Sequence, residues 1–249
     1  MMGASMSDAD RIVVHSEGDV LRVRLNRPEV RNAQTPAMWE HLATIASEIP
    51  VGTRFVVLSG EGKDFSAGLD RAVLAEGMLT DLQSDPEGVI ARAQEGFARW
   101  MQIPQVVIAE VQGNAIGAGF QLALASDVII AAPDARFAMR EVSIGLVPDL
   151  GGTGALVDAI GYRRAFALCA TGAFVSAEQA RDWGLVHMVA EDPSVACGEL
   201  IETFRSLDPA TVGDIKGLLQ RVAGDRDSFA LERSAQIQRL NTLLGGLQP

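Results

Sequence analysis

Backbone amides are the first groups in this chain with the spacing to do chemistry. Residues 105–127, QVVIAEVQGNAIGAGFQLALASD, join a β-branched apolar run (Val106, Val107, Ile108, Val111) to an Ala- and Leu-rich run from Phe120 to Ala125. The first run reads as a buried strand and the second as a helix, with GNAIGAG as the loop between them. A strand that turns through glycines into a helix leaves unpaired N–H groups at the positive end of the helix dipole, where negative charge is stabilised. The spacing Gly113, Gly117, Gly119 is not that of a dinucleotide fingerprint, and no Lys-Ser/Thr follows to make a P-loop. Two readings stay open: a small-oxyanion site, which Gln121 as the helix's one polar residue favours, and a tight junction with no ligand.

Side-chain carboxyls come second. Glu141 and Asp149 lie among Val142, Ile144, Leu146 and Val147. Carboxyls in apolar surroundings hold protons more tightly, the condition for an acid or base working near neutrality. The alternative is surface or capping carboxylates, Asp149 standing just before a Gly-rich helix start. Asp70 closes a second glycine-containing loop, SGEGKDFSAGLD, and either caps a helix beginning near Arg71 or contacts a ligand. Within residues 22–31, Arg22, Arg24, Arg27 and Arg31 face only Glu29, a basic patch able to meet an anion.

The elements that must hold these groups are those of an α/β chain. Residues 19–26 alternate as a half-buried strand, and Thr35 and Pro36 open a helix with Met38, Leu42, Ile45 and Ile49 on its buried stripe. A strand at 55–58 follows, then a breaker-rich loop at 77–88, then a helix packing Val89, Ala93, Phe97, Trp100 and Met101. Beyond a strand at 128–131 come helices at 161–170 and 176–183, a strand at 185–189, and three helical segments without chemistry of their own. The expected division is a loose extension at 1–10, an α/β core at 11–190 and a helical region at 191–249.

Bulk properties narrow the partners. The 249 residues are 48% hydrophobic, enough for one sizeable domain, and the net charge of −11 argues against nucleic acid and anionic membranes. No apolar run reaches a membrane span, and the first ten residues lack the basic and apolar regions of a secretory signal. Cys169 and Cys197 fit reduced thiols, so a cytoplasmic location is expected. His15, His41 and His187 stand apart without ligand spacing, and no metal site is expected.

Four ordered motifs carry a resemblance: LNRPEVRNAQ at 25–34, FSAGLD at 65–70, VQGNAIGAGFQLALASD at 111–127 and REVSIGLVPDLGGT at 140–153. Together they resemble the crotonase superfamily, the enoyl-CoA hydratases and isomerases. The resemblance implies a spiral of ββα units, a C-terminal helical region used for trimerisation, assembly as a trimer or hexamer, and acyl-CoA thioester substrates with no further cofactor. It implies an oxyanion hole made by the N–H groups of Leu69 and Ala118, with Gly68 and Gly117 admitting the close approach. It also implies contacts to CoA or substrate around Val30, Arg31, Ala33, Ala67, Gly68, Asp70 and Gly117, giving the arginine patch a use.

One departure bears on the reaction. Hydratases of the superfamily carry a glutamate where this chain has Gln121, and a second at the position of Glu141. Gln121 can orient a group but cannot accept a proton from water. Moving a double bond needs only a proton shuttle, and Asp149 matches an aspartate of some isomerases and dienoyl isomerases. The expected activity is enoyl-CoA isomerisation by Glu141 or Asp149, with Gln121 as a polar orienter. The alternatives are hydration, with Asp149 standing in for the missing glutamate, and a non-catalytic acyl-CoA binder.

Overall fold

Leu21, Val23 and Leu25 turn inward from a strand that pairs with the strand just before it and with one well along the chain, within a six-membered sheet. A computed structural model describes residues 11–73, 79–223 and 228–245. The sheet runs in the order β1 (Ile12–Glu17), β2 (Val20–Leu25), β3 (Phe55–Gly60), β4 (Val106–Val111), β6 (Val128–Ala131) and β9 (Met188–Val189). β1 pairs antiparallel with β2, and every later pair is parallel. A second, three-stranded sheet joins β5 (Asn114–Ile116), β7 (Arg136–Ala138) and β8 (Val175–Ser176).

The central strands are apolar throughout because both their faces are covered. Val56, Leu58, Val107, Ala109 and Val111 pack toward α1 (Pro36–Ser47), while the rest of that core cluster includes Phe97 and Trp100. On the other face Phe55, Val57, Val106 and Ile108 meet Ala196, Cys197 and Ile201. Burial of each large side chain contributes about 1.5–3 kcal/mol, so this double layer fixes the strand ends on which the site is built.

The spiral follows from how the sheets are linked. After β3 the chain makes a bridge from Ser66 to Ala115, after β4 Ala115 pairs with Phe137, and after β6 Phe137 pairs with Val175. Each pass through the large sheet thus adds one rung to the small one, bringing three distant loops side by side. This is the spiral of repeated units that the resemblance implies.

The helices are α1, α2 (Arg71–Val73), α3 (Leu79–Ser84), α4 (Pro86–Gln102), α5 (Ala118–Leu124), α6 (Gly152–Thr171), α7 (Ala177–Asp182), α8 (Pro193–Arg205), α9 (Pro209–Ala223) and α10 (Ser228–Gly245). Two expectations need correction. Most of the loop predicted at 77–88 is helical: Asp85 accepts from the Gly88 N–H and Pro86 opens α4, so the apparent breakers are a helix start. Residues 77 and 78, and the extension at 1–10, lie outside the described residues. The GNAIGAG loop contains a strand, β5, held by long-range pairing that no local pattern announces. The helix expected from residue 161 is present, preceded by a helical segment at 152–160 that begins at the expected Gly-rich start, and non-helical Gly161 separates the two.

Candidate active site

The two glycine loops meet. Gly68 has φ +83°, and a Cβ there would lie 2.5 Å from the Ile116 carbonyl oxygen and 3.3 Å from the Ala118 nitrogen. Only glycine allows that approach. Pairing then decides which amides stay free. Gln34 bridges Leu69 in parallel fashion, its N–H donating to the Gly68 carbonyl while the Asp70 N–H donates to the Gln34 carbonyl. A parallel bridge uses the residues on either side of Leu69, so the Leu69 N–H faces away from Gln34. Ala118 is the first residue of α5, after Gly117 at φ 54°, and its N–H is one of the helix's orphan donors. Both residues line one cavity.

A buried polar web holds the first loop in this shape. The Ser66 hydroxyl donates to the Asn32 carbonyl and accepts from the Gly68 N–H and the Gln34 amide. The Trp39 indole donates to the other end of the Gln34 side chain. Asn32 in turn donates to the Glu61 and Asp64 carbonyls and accepts from the Arg27 N–H. These groups are almost fully buried, so each unmade bond would cost about 1–3 kcal/mol.

Glu141 opens a short 3-10 turn (Glu141–Ile144), and a Cβ added at Gly117 would sit 3.1 Å from its Oε1. The carboxyl therefore stands against the start of α5, beside the free amides. Gln121 donates to Glu141 Oε1 at 2.9 Å, while its carbonyl accepts the N–H groups of Leu150 (2.9 Å) and Gly152 (3.3 Å). With the carbonyl end fixed, the NH2 end must face Glu141. Gln121 is 1% exposed and lies behind the cavity wall, so what it orients is a carboxyl, not a water. The second oxygen of Glu141, Oε2, is buried with no partner. Burial pushes the Glu141 carboxyl up to about 7, against the pull of its own backbone N–H and of Gln121, with the Glu232 charge adding to the rise.

Asp149 lines the same cavity. Burial, then the charges of Glu141 and Glu232, raise its proton affinity well above the carboxylate norm, against the pull of its own backbone N–H and of the nearby Gln236 amide. It is not the cap of α6; Gly151 holds that position. The capping side chain is instead Glu232 of α10, which accepts from the Gly151 and Thr153 N–H groups at 2.6 and 2.9 Å and from the Thr153 hydroxyl.

The cavity, of about 540 Å3, falls in the range of roughly 300–1,000 Å3 usual for small-molecule sites. Val30, Ala33, Ala67, Gly68, Asp70 and Gly117 line it, together with Leu69, Ala118, Glu141 and Asp149. Arg31 does not; it is exposed, in left-handed conformation, and its carbonyl accepts from the Ala67 N–H. Asp70 both caps, accepting from the Ala72 N–H, and pairs with Arg27 at 2.9 Å. The arginine patch is not one patch. Arg22 pairs with Glu110 and Arg24 with Glu61 in a separate groove, because alternate residues of β2 share the face opposite the core.

Sequence reasoning missed Asn32, Gln34, Ser66, Gln94, Glu232 and Gln236. Asn32 and Gln34 were visible as polar residues just before the α1 cap; Glu232 and Gln236 look like the wet face of an ordinary helix. The C-terminal region therefore does carry groups of the site, contrary to expectation.

A spiral α/β fold with two free amides and two buried carboxyls over an apolar cavity defines an enzyme of crotonase type. The sequence profile of the enoyl-CoA hydratase/isomerase family matches residues 15–233. The 1,2-epoxyphenylacetyl-CoA isomerase of Escherichia coli K12 is 36% identical over 246 residues, covering 94% of this chain and 90% of that protein. The mitochondrial Δ3,5-Δ2,4-dienoyl-CoA isomerase of Rattus norvegicus is 35% identical over 193 residues, 74% of this chain and 59% of that protein. Among solved structures, a Thermobifida fusca YX protein classed with the enoyl-CoA hydratases, in complex with acetoacetyl-CoA, superposes with a TM-score of 0.83 at 36% identity over 96% of both chains. The chain belongs to the enoyl-CoA hydratase/isomerase family.

Proposed function

We propose that, within the acyl-CoA isomerisation and hydration chemistry of its family, this enzyme moves a carbon–carbon double bond of an enoyl-CoA. The observation that carries this reading is the pair of carboxyls lining one cavity, Glu141 beside the free amides and Asp149 with it, and an amide sealed at position 121. The thioester oxygen is received by the N–H groups of Leu69 and Ala118. Ionised Glu141 takes a proton from C2 of a 3-enoyl thioester. The electron pair of that C–H bond spreads into the thioester oxygen and the C3–C4 bond, forming a dienolate. Asp149, protonated, returns a proton to C4 as the C2–C3 double bond forms. Proton exchange with solvent then resets both carboxyls. One oxyanion donor contributes on the order of 100- to 1,000-fold in rate, and each acid–base partner roughly 100- to 10,000-fold.

Hydration asks for two carboxyls on one water, and Gln121 has no basic oxygen to offer. The alternative, in which Asp149 replaces that glutamate, makes the opposite prediction in one experiment. A 3-enoyl-CoA should gain the absorbance of a conjugated thioester and take deuterium from heavy water, whereas crotonyl-CoA should keep its absorbance. Rapid loss of crotonyl-CoA absorbance would instead favour the hydratase, and tight binding without exchange the non-catalytic binder.

The reaction so written uses no cofactor beyond the CoA of the substrate. A homo-oligomer, trimer or hexamer, is supported by exposed apolar residues on α6 (Tyr162, Phe166) and α9 (Ile215, Leu218, Leu219, Val222). Among the described residues no helix is long and apolar enough to cross a membrane. A cytoplasmic location is supported by two free thiols, Cys169 and Cys197, which burial pushes up to about 12 and so makes unreactive.

A further inference from the structure

Glu232, Gln236 and Leu240 recur every four residues along α10, and all three are buried. A stripe at that spacing faces inward, and polar groups there are tolerated only when partnered. Leu240 and Gln236 line the cavity, and Glu232 holds the start of α6. The carbonyl of Gln236 accepts the Val147 N–H at 3.1 Å, two residues before Asp149, which leaves its NH2 end as the one available to the Asp149 carboxyl on the wall of the same cavity. The amide beside Glu141 is locked through its carbonyl in the same way, Gln121 accepting the Leu150 and Gly152 N–H groups, and there the NH2 end donates to the carboxyl. The main chain of Asp149 is tied to the same helix: Gln94 donates to the Asp149 and Phe229 carbonyls, and Arg233 donates to Gln94.

We infer that Gln236 is a positioning residue for Asp149, so that the acid of the pair is set in place only by the docked C-terminal helix. The inference rests on the isomerase reading above. An N–H donor aimed at a carboxyl selects which oxygen faces the substrate and favours the ionised form. It opposes the groups that hold the proton on: Glu141 from the 3-10 turn and Glu232 from α10, with burial. Gln94 from α4 and Arg233 from α10 act on the Asp149 backbone, not on its carboxyl.

The test is Gln236→Met, which keeps the length and removes the amide, its bond from the Val147 N–H included. Isomerisation of a 3-enoyl-CoA should lose roughly tenfold or more in kcat, the worth of a charge-assisted hydrogen bond, with KM close to wild type. Because Asp149 acts as the acid, the alkaline limb of the pH–kcat profile should move to higher pH. Gln236→Glu keeps an acceptor for the Val147 N–H but sets two carboxyls face to face, which must share a proton. It should shift the same limb upward and serves if the Met variant fails to fold. A folded variant with wild-type kcat and wild-type pH limits overturns the assignment alone. Wild-type protein that exchanges no proton into a 3-enoyl-CoA overturns the isomerase reading and this assignment with it.

Discussion

Glu141 holds a proton to about pH 7 because burial penalises its charge more than Gln121 and its own N–H relieve it. The consequence reaches stability. Its folded-state value lies above the ordinary 4.5, so between those pH values the folded enzyme keeps a proton that the unfolded chain gives up. Stability therefore falls as pH rises through that window, is unaffected by this group below it, and levels off above about 7. At about 1.4 kcal/mol per pH unit, the loss is about 3 kcal/mol. Glu141→Gln cannot ionise and escapes it. Urea titrations should find the variant more stable than wild type at pH 8 and equal to it near pH 4.5, while exchange of substrate protons is abolished. Equal stability of the two proteins at pH 8 would show that the carboxyl is solvated when charged. Asp149 is more heavily penalised, so a bell-shaped rate profile belongs to the two carboxyls jointly.

At the scale of elements, the site depends on two loops approaching closer than side chains permit. Gly68→Ala would drive a methyl to 2.5 Å from the Ile116 oxygen, in a backbone conformation that L residues rarely adopt. The loops must separate, and the Leu69 and Ala118 amides with them. The expected outcome is a kcat lowered about 100-fold or more, with CoA itself still binding, as isothermal titration would read. A variant with unchanged kcat would remove the amide pair from the mechanism. These loops were legible in the sequence because their logic is local: glycines, a strand before, a helix after. The α1 start was legible for the same reason, Thr35 accepting from the Met38 N–H as its type predicts. What was hidden depends on pairing across the chain. β5 is three residues long and exists because β7 lies beside it. Glu232 and Gln236 are ordinary helix-surface types whose partners, 79 to 89 residues earlier, no periodicity reveals.

At the scale of the whole molecule, the protomer leaves one helix face unfinished. On α9, Ile215, Leu218, Leu219 and Val222 recur at three- and four-residue spacing and are half to four-fifths exposed. Isolated apolar residues on a surface need no explanation, but a helical stripe of four does. The same helix sends Lys216 inward to Asp127 and the Gln105 carbonyl, so its orientation is fixed and the apolar stripe must face outward. Under the proposed homo-oligomer, a second copy of the chain would be its occupant. Leu219→Glu combined with Val222→Glu adds charge where the protomer is already open to water, and should leave the fold and its melting behaviour largely intact. In an assembly those charges would be buried without partners, at a cost large enough to dissociate it. Sedimentation equilibrium should therefore give a multiple of the 26.4 kDa chain for the wild type and the chain mass for the double variant. A wild type that sediments as a single chain, or a double variant that stays assembled, would take α9 out of the interface and leave its apolar stripe to some other partner.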